Sequence, residues 1–85
     1  LKIIIKSKIN KIIIEKSNNI KIKLSDTISG IEINNSKNIN LKFRKNKKIN
    51  LVQSFKSNLE IKLQEEQEKN TKFIIEESQI KLNIY

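Results

Sequence analysis

Apolar and polar residues alternate along most of the chain. Leu1, Ile3 and Ile5 open a series that is taken up by Ile20, Ile22 and Leu24, then by Ile39, Leu41 and Phe43, by Leu59, Ile61 and Leu63, and by Ile80, Leu82 and Ile84. A period of two sends every second side chain to the same face and predicts strands. Ile, which dominates the series, is β-branched and suits a strand better than a helix. Successive triplets lie 19, 19, 20 and 21 residues apart. A second apolar pair keeps pace with them: Ile12/Ile14, Ile31/Ile33, Ile49/Leu51 and Phe73/Ile75, followed three residues later by Ser17, Ser36, Ser54 and Ser78. Ile9 and Ile28 make a third, shorter column.

Two alternating strands recurring near every 20 residues, with short polar corners, describe a solenoid whose coils bury their apolar faces only against one another. A leucine-rich repeat has a similar period but needs a helical or extended return arm and a different Leu pattern. The expected fold is therefore all-β, a right-handed parallel β-helix with coils of about 19–24 residues, forming a single domain over residues 1–85. Asn19, Asn38 and Asn58 each stand just before a triplet strand, where a sharp corner favours a residue that tolerates the left-handed conformation. Glu65–Thr71 fits no column and is expected to protrude as a loop.

Composition narrows the chemistry. Ile, Lys and Asn supply 48 of the 85 residues, a balance that A/T-rich codons produce, and the net charge is +9. A field of that sign favours nucleic acid, an anionic membrane or an acidic protein. There is no Cys, so disulfides and thiolate metal sites are excluded and a reducing, cytoplasmic setting is expected. A first residue other than Met is read as one small domain or a piece of a longer protein. No apolar run reaches the ~18 residues of a membrane span.

Three segments carry a family resemblance. Lys8-Ile9-Asn10-Lys11-Ile12-Ile13-Ile14-Glu15-Lys16-Ser17 resembles the stretch of cyclase-associated proteins in which Lys-Val-Asn leads into a strand, an acidic residue and a small-residue corner. One coil later, Gly30-Ile31-Glu32-Ile33-Asn34-Asn35-Ser36 is similar to that family's Gly-Ile/Val-Glu-Ile-x-Asn-Ser segment, and Ser78-Gln79-Ile80-Lys81-Leu82-Asn83-Ile84 looks like its final coil. The resemblance implies a fragment of the C-terminal actin-binding domain: a cytoskeletal module that binds actin monomers, most of all ADP-bound ones, and promotes their nucleotide exchange. It also implies a homodimer, formed through the ends of the solenoid. Tubulin-binding cofactor C shares the fold and uses an arginine on a partner GTPase, which makes a regulator of a small GTPase or of tubulin the alternative; a purely structural solenoid is a third reading. The sequence departs from the family at Lys45-Asn46-Lys47-Lys48, at Ser54-Phe55-Lys56-Ser57 and in the longer acidic loop after Leu63.

Catalytic residue types are scarce. His and Cys are absent, Asp26 is the only Asp, and a carboxylate pair would have to come from separate coils, as Glu15 and Glu32 would. One Gly cannot build a phosphate loop. No enzyme activity, cofactor or metal ion is expected. Arg44, the only arginine, invites an arginine-finger reading, set against a solvated corner shared with Lys45, Lys47 and Lys48. Aromatic residues are too few and too deep in the apolar columns for base stacking, so no specific nucleic-acid binding is expected, and the outward apolar residues Ile4, Ile13 and Ile74 lie on different coils, so neither is membrane insertion. Alternation instead turns Lys2, Lys21, Asn40, Glu60 and Lys81 outward in one column and Ile4, Lys23, Lys42, Lys62 and Asn83 in the next. Lys21, Lys23, Lys42, Arg44 and Lys62 are the candidate partner-binding residues.

Overall fold

The alternating segments form nine strands and one short helix in a computed structural model that describes residues 1–85. The elements are β1 (Lys2–Ile4), β2 (Ile9–Glu15), β3 (Asn18–Leu24), β4 (Thr27–Asn34), β5 (Lys37–Phe43), β6 (Leu51–Phe55), β7 (Asn58–Leu63), α1 (Glu65–Asn70), β8 (Lys72–Glu76) and β9 (Gln79–Ile84). The odd strands make one five-stranded sheet and the even strands a four-stranded sheet, each in chain order and parallel throughout. The chain thus steps from one sheet to the other at every corner, and the expected parallel β-helix is realised as a solenoid of about four turns.

In the five-stranded sheet the register is the one the triplets predict. Ile3, Ile22, Leu41, Ile61 and Leu82 stand opposite one another from strand to strand. Coils spaced at about 4.8 Å turn such a column into a continuous aliphatic ladder. Thirteen buried apolar residues form the core, among them Leu24, Ile39, Leu41, Phe43, Ile61 and Leu63 from this sheet and Ile14, Ile31, Ile33 and Val52 from the other. Each fully buried side chain of this kind contributes about 1.5–3 kcal/mol. The terminal coils have a neighbour on one side only. Leu1 and Ile84, expected inside, are therefore 80% and 50% exposed although they belong to the inward series.

The four-stranded sheet departs from expectation in its third coil. Val52 and Ser54, not Ile49 and Leu51, stand opposite Ile31 and Ile33, and opposite Phe73 and Ile75 on the far side. Ile49 is buried ahead of the strand, in the corner, where its carbonyl oxygen accepts a hydrogen bond from Thr71 Oγ1. Leu51 and Phe55 face outward. The added residues lie in the corner before β6, which runs over 44–50 where the corner before β4 has only 25–26. The pairing of β2 with β4 slips by one residue between Ile9↔Thr27 and Lys11↔Gly30, a β-bulge, and Gly30 takes φ +87° there. A Cβ on Gly30 would collide with the carbonyl oxygen of Leu51 and lie 2.8 Å from its side chain. The bulge also places Thr27 opposite Ile9 and leaves Ile28 exposed, so the expected Ile9/Ile28 column does not form.

The tight corner from the four-stranded to the five-stranded sheet repeats in every coil. Lys16, Asn35, Lys56 and Glu77 adopt φ between 46° and 50°, and each is followed by a serine. The hydroxyls of Ser17, Ser36, Ser57 and Ser78 donate back across the turn to the carbonyls of Glu15, Asn34, Phe55 and Glu76. Three of them also accept the amide of the serine one coil earlier: Ser17 N–H to Ser36, Ser36 N–H to Ser57 and Ser57 N–H to Ser78. The corner serine of the third coil is thus Ser57. Ser54, expected there, lies inside the ladder and satisfies its hydroxyl on Ser78. Coils one and two carry one further left-handed residue, Asn19 and Asn38; Asn58 does not adopt that conformation, because Ser57 and Leu59 are separated by that single residue. Its side chain instead accepts the Asn38 amide, and Asn38 donates to Asn19.

Two measurements check this account. Gly30→Ala forces a left-handed φ on a residue with a Cβ and drives that Cβ into backbone, so it is expected to lower unfolding stability by about 3 kcal/mol in urea denaturation. Ser57→Ala strips the buried Ser36 amide of its acceptor and is expected to cost about 1–3 kcal/mol, whereas Ser17→Ala, whose hydroxyl accepts no amide, costs about 1 kcal/mol or less. Equal losses for the two serines would show that the ladder has no energetic role.

Candidate functional site: a lysine-lined sheet face

The outer face of the five-stranded sheet collects lysines by the same alternation that fills the core. Lys2 stands opposite Lys21, Lys21 opposite Asn40, Asn40 opposite Glu60, and Glu60 opposite Lys81; beside them run Ile4, Lys23, Lys42, Lys62 and Asn83. Both columns match the expected order. Of the candidate residues, the structure brings Lys21, Lys23, Lys42 and Lys62 onto one face. Arg44 lies apart, one residue past β5 in the corner, where its amide donates to the Leu24 carbonyl and its own carbonyl accepts from Gln67 Nε2 and the Lys47 amide.

No lysine of this face has an ion-pair partner. The molecule has two ion pairs, Lys11–Glu32 at 3.1 Å and Lys56–Glu77 at 3.9 Å, and neither involves a lysine of the face. Its one carboxylate, Glu60, accepts a hydrogen bond from Asn83 Nδ2. Lys42 places its ammonium 5.4 Å from the centre of the Tyr85 ring, a cation–π distance. Tyr85 is held there by its hydroxyl, which donates to the Phe43 carbonyl, and partial burial pushes its phenol pKa up. The alternation did not reveal this contact, since Tyr85 follows Ile84, the last residue of the final triplet.

The opposite face is different in character. Ile13, Phe55 and Ile74 are exposed there and Leu51 is half-buried, so the outward apolar residues outnumber those expected, but they lie on the sheet that lacks the lysine columns. Glu32 is gripped by Asn34 Nδ2 and Lys11 Nζ. These hydrogen bonds, that of Asn34 first, hold its carboxyl below the usual carboxylate range. No group of three or more His, Cys, Asp or Glu is placed to hold a metal ion, and no helix is long and apolar enough to cross a membrane.

The corner leading into the four-stranded sheet varies in length, from residues 25–26 before β4 to 64–71 before β8, and its last member corrects an expectation. Residues 65–70 form α1 instead of a protruding loop. Gln67 is buried, its Oε1 accepting the Gln64 amide and its Nε2 donating to the Arg44 and Lys47 carbonyls, while Gln64 Oε1 accepts the Asn46 amide. Those bonds pin the helix onto the Arg44–Asn50 corner, leaving a polar cleft of about 560 Å³ between them. Gln67 could not be picked out in advance, since an amide among acidic residues reads as solvated.

The segment that carries the family resemblance is accounted for within the coil. Gly30 makes the bulge, Ile31 and Ile33 fill the core, Glu32 binds Lys11 and Asn34, Asn35 is the left-handed corner residue and Ser36 belongs to the serine ladder. Because Glu32 has a depressed pKa in the folded chain, its contribution to stability is fully present above about pH 4.5, its ordinary value, and is lost as the pH falls through the depressed one. Glu32→Gln is therefore expected to flatten the acid limb of the stability–pH profile and to leave neutral and alkaline slopes unchanged, as read by urea unfolding at a series of pH values. No family model matches the chain, and neither does any curated protein or solved structure with which it was compared.

Proposed function

We propose that this chain is a protein-binding module whose lysine-lined sheet face docks an acidic surface of its partner. The observation that carries the reading is the in-register stack of Lys23, Lys42 and Lys62, flanked by Lys2, Lys21 and Lys81, with no ion pair among them. Like charges on directly opposed strand positions cost a few tenths to about 1 kcal/mol each, and nothing in the fold calls for them. An opposing acidic surface would relieve that repulsion, speed encounter and make binding strongly salt-dependent.

The resemblance of Lys8–Ser17, Gly30–Ser36 and Ser78–Ile84 to cyclase-associated proteins supplies the candidate partner, monomeric actin in its ADP-bound form, with nucleotide exchange on actin as the activity. A lysine ladder fits that role as a charge-complementary docking strip. Arg44, whose backbone is tied into the corner, stands outside the strip and belongs to its rim.

Titration of the chain against ADP-actin monomers, with release of bound nucleotide as a second readout, tests the proposal. Replacing Lys23, Lys42 and Lys62 together by Glu is expected to weaken binding by about 100-fold or more at low salt while the β-type circular dichroism persists. Unchanged affinity in that variant would remove this face as the docking surface, and no binding by the parent chain would remove actin as the partner.

A further inference from the structure

Two neighbouring positions, Asn40 and Glu60, interrupt one of the lysine columns. Asn40 sits at the centre of the basic face, between Lys21 on β3 and Glu60 on β7, with Lys42 two residues further along its own strand. Its side chain is shorter than those around it. The result is a recess of about 290 Å³, open to solvent and walled by five lysines, Lys2, Lys21, Lys23, Lys42 and Lys62, against one carboxylate, Glu60. The Asn40 carboxamide forms no hydrogen bond within the chain and is free to donate into the recess. Glu60, the single acid in its lining, accepts a hydrogen bond from Asn83 Nδ2.

The spacing of the walls selects a type of ligand. Ammonium groups on neighbouring strands start about 4.8 Å apart, and those two residues apart on one strand about 6.7 Å. A monoanion entering the recess satisfies one or two of them and leaves the rest repelling one another. Phosphoryl groups joined in a chain present several anionic oxygens within a few ångströms and can meet four or five lysines together, which lysine, as a flexible point charge with three donors, suits well. A broad acidic protein surface can cover the face but does not fill so small a hollow.

We propose that the Asn40 recess binds a small soluble polyphosphate, two or three phosphoryl groups long, and that this ligand competes with the acidic partner for Lys23, Lys42 and Lys62. The competition rests on the reading of this face as the docking surface; the binding itself does not. Occupancy neutralises the ladder, so the ligand also stabilises the folded chain.

The test uses sodium tripolyphosphate as the probe, followed by calorimetric titration and by thermal unfolding, with sodium chloride at matched ionic strength as the reference. Two triple variants remove equal charge from different places: K23Q/K42Q/K62Q from the recess and K45Q/K47Q/K48Q from the corner beside α1. The parent and the corner variant are expected to bind one tripolyphosphate and to gain thermal stability over the salt reference. The recess variant is expected to lose at least about tenfold in affinity. Asn40→Glu, which leaves every lysine in place and puts a carboxylate in the hollow, is expected to lose as much. Equal losses in the two triple variants would overturn the proposal by showing a response to net charge alone, as would a stability gain no larger than that from chloride. Neutral lipid vesicles doped with a polyphosphorylated inositol lipid separate the two sources of such groups: binding to them without any response to tripolyphosphate would overturn the assignment to a soluble ligand. No actin is present in these measurements, so a chain that binds tripolyphosphate but not actin refutes the choice of partner and leaves the recess standing.

Discussion

A single coil of this molecule is too thin to bury its own side chains, and in-register parallel stacking is what every other feature depends on. Ile22 is covered only because Ile3 and Leu41 stand on either side of it, and the same holds for Ile61 between Leu41 and Leu82. Stability is then a sum over neighbouring coils, highest in the middle and lowest at the ends. The burial pattern follows that gradient: Ile39, Leu41 and Phe43 are inaccessible, while Ile3, Ile5, Ile80 and Leu82 are covered in part.

Stacking of this kind needs corners that return the chain at a constant height. The serine corner meets that need with few atoms. Its left-handed residue turns the backbone, its hydroxyl closes the turn from within, and the same oxygen takes the amide of the coil below. Left-handed backbone costs an ordinary L-residue about 1–2 kcal/mol, and Lys16, Lys56 and Glu77 accept that cost where Asn35 avoids much of it. The hydrogen bonds of the ladder offset it. The opposite corner has no such device, and its length varies from coil to coil, which is why α1 and the polar cleft are found on that side.

The geometry that produces apolar ladders inside produces charge ladders outside. Register cannot be kept for Ile22 and Leu41 without also being kept for Lys23 and Lys42. A solenoid whose outward positions are Lys therefore concentrates positive charge in rows about 4.8 Å apart, whatever origin its composition has. Glu32, Lys11 and Asn34 show the alternative arrangement on the other face, where unlike neighbours satisfy one another. The two faces thus differ: one pairs its charges within the chain, and the lysines of the other have no ion-pair partner.

Alternation and spacing determined a good deal by themselves. Strict period two settled which residues of each triplet point inward, and the 19-to-21-residue recurrence settled their register, so the lysine columns could be written down from the sequence and are found in that order. What they could not decide is where a strand begins after a corner of unknown length. Between Ile49 and Phe55, one alternation puts Ile49, Leu51, Gln53 and Phe55 inward and the other puts Val52 and Ser54 inward; on hydrophobicity the first wins. Tertiary structure chose the second: the corner before β6 runs over residues 44–50, and β4 and β6 then pair Ile31 with Val52 and Ile33 with Ser54. A one-residue slip reverses every side chain of a strand, and here it turns Leu51 and Phe55 outward. The same limit hid Ser57 behind Ser54, and it hid α1, whose hold on the molecule is a buried glutamine bonded to carbonyls some 20 residues away in the chain. Periodicity is a property of strands and could be read directly; corners have none, and their conformations are set by coils that lie next to them only after folding.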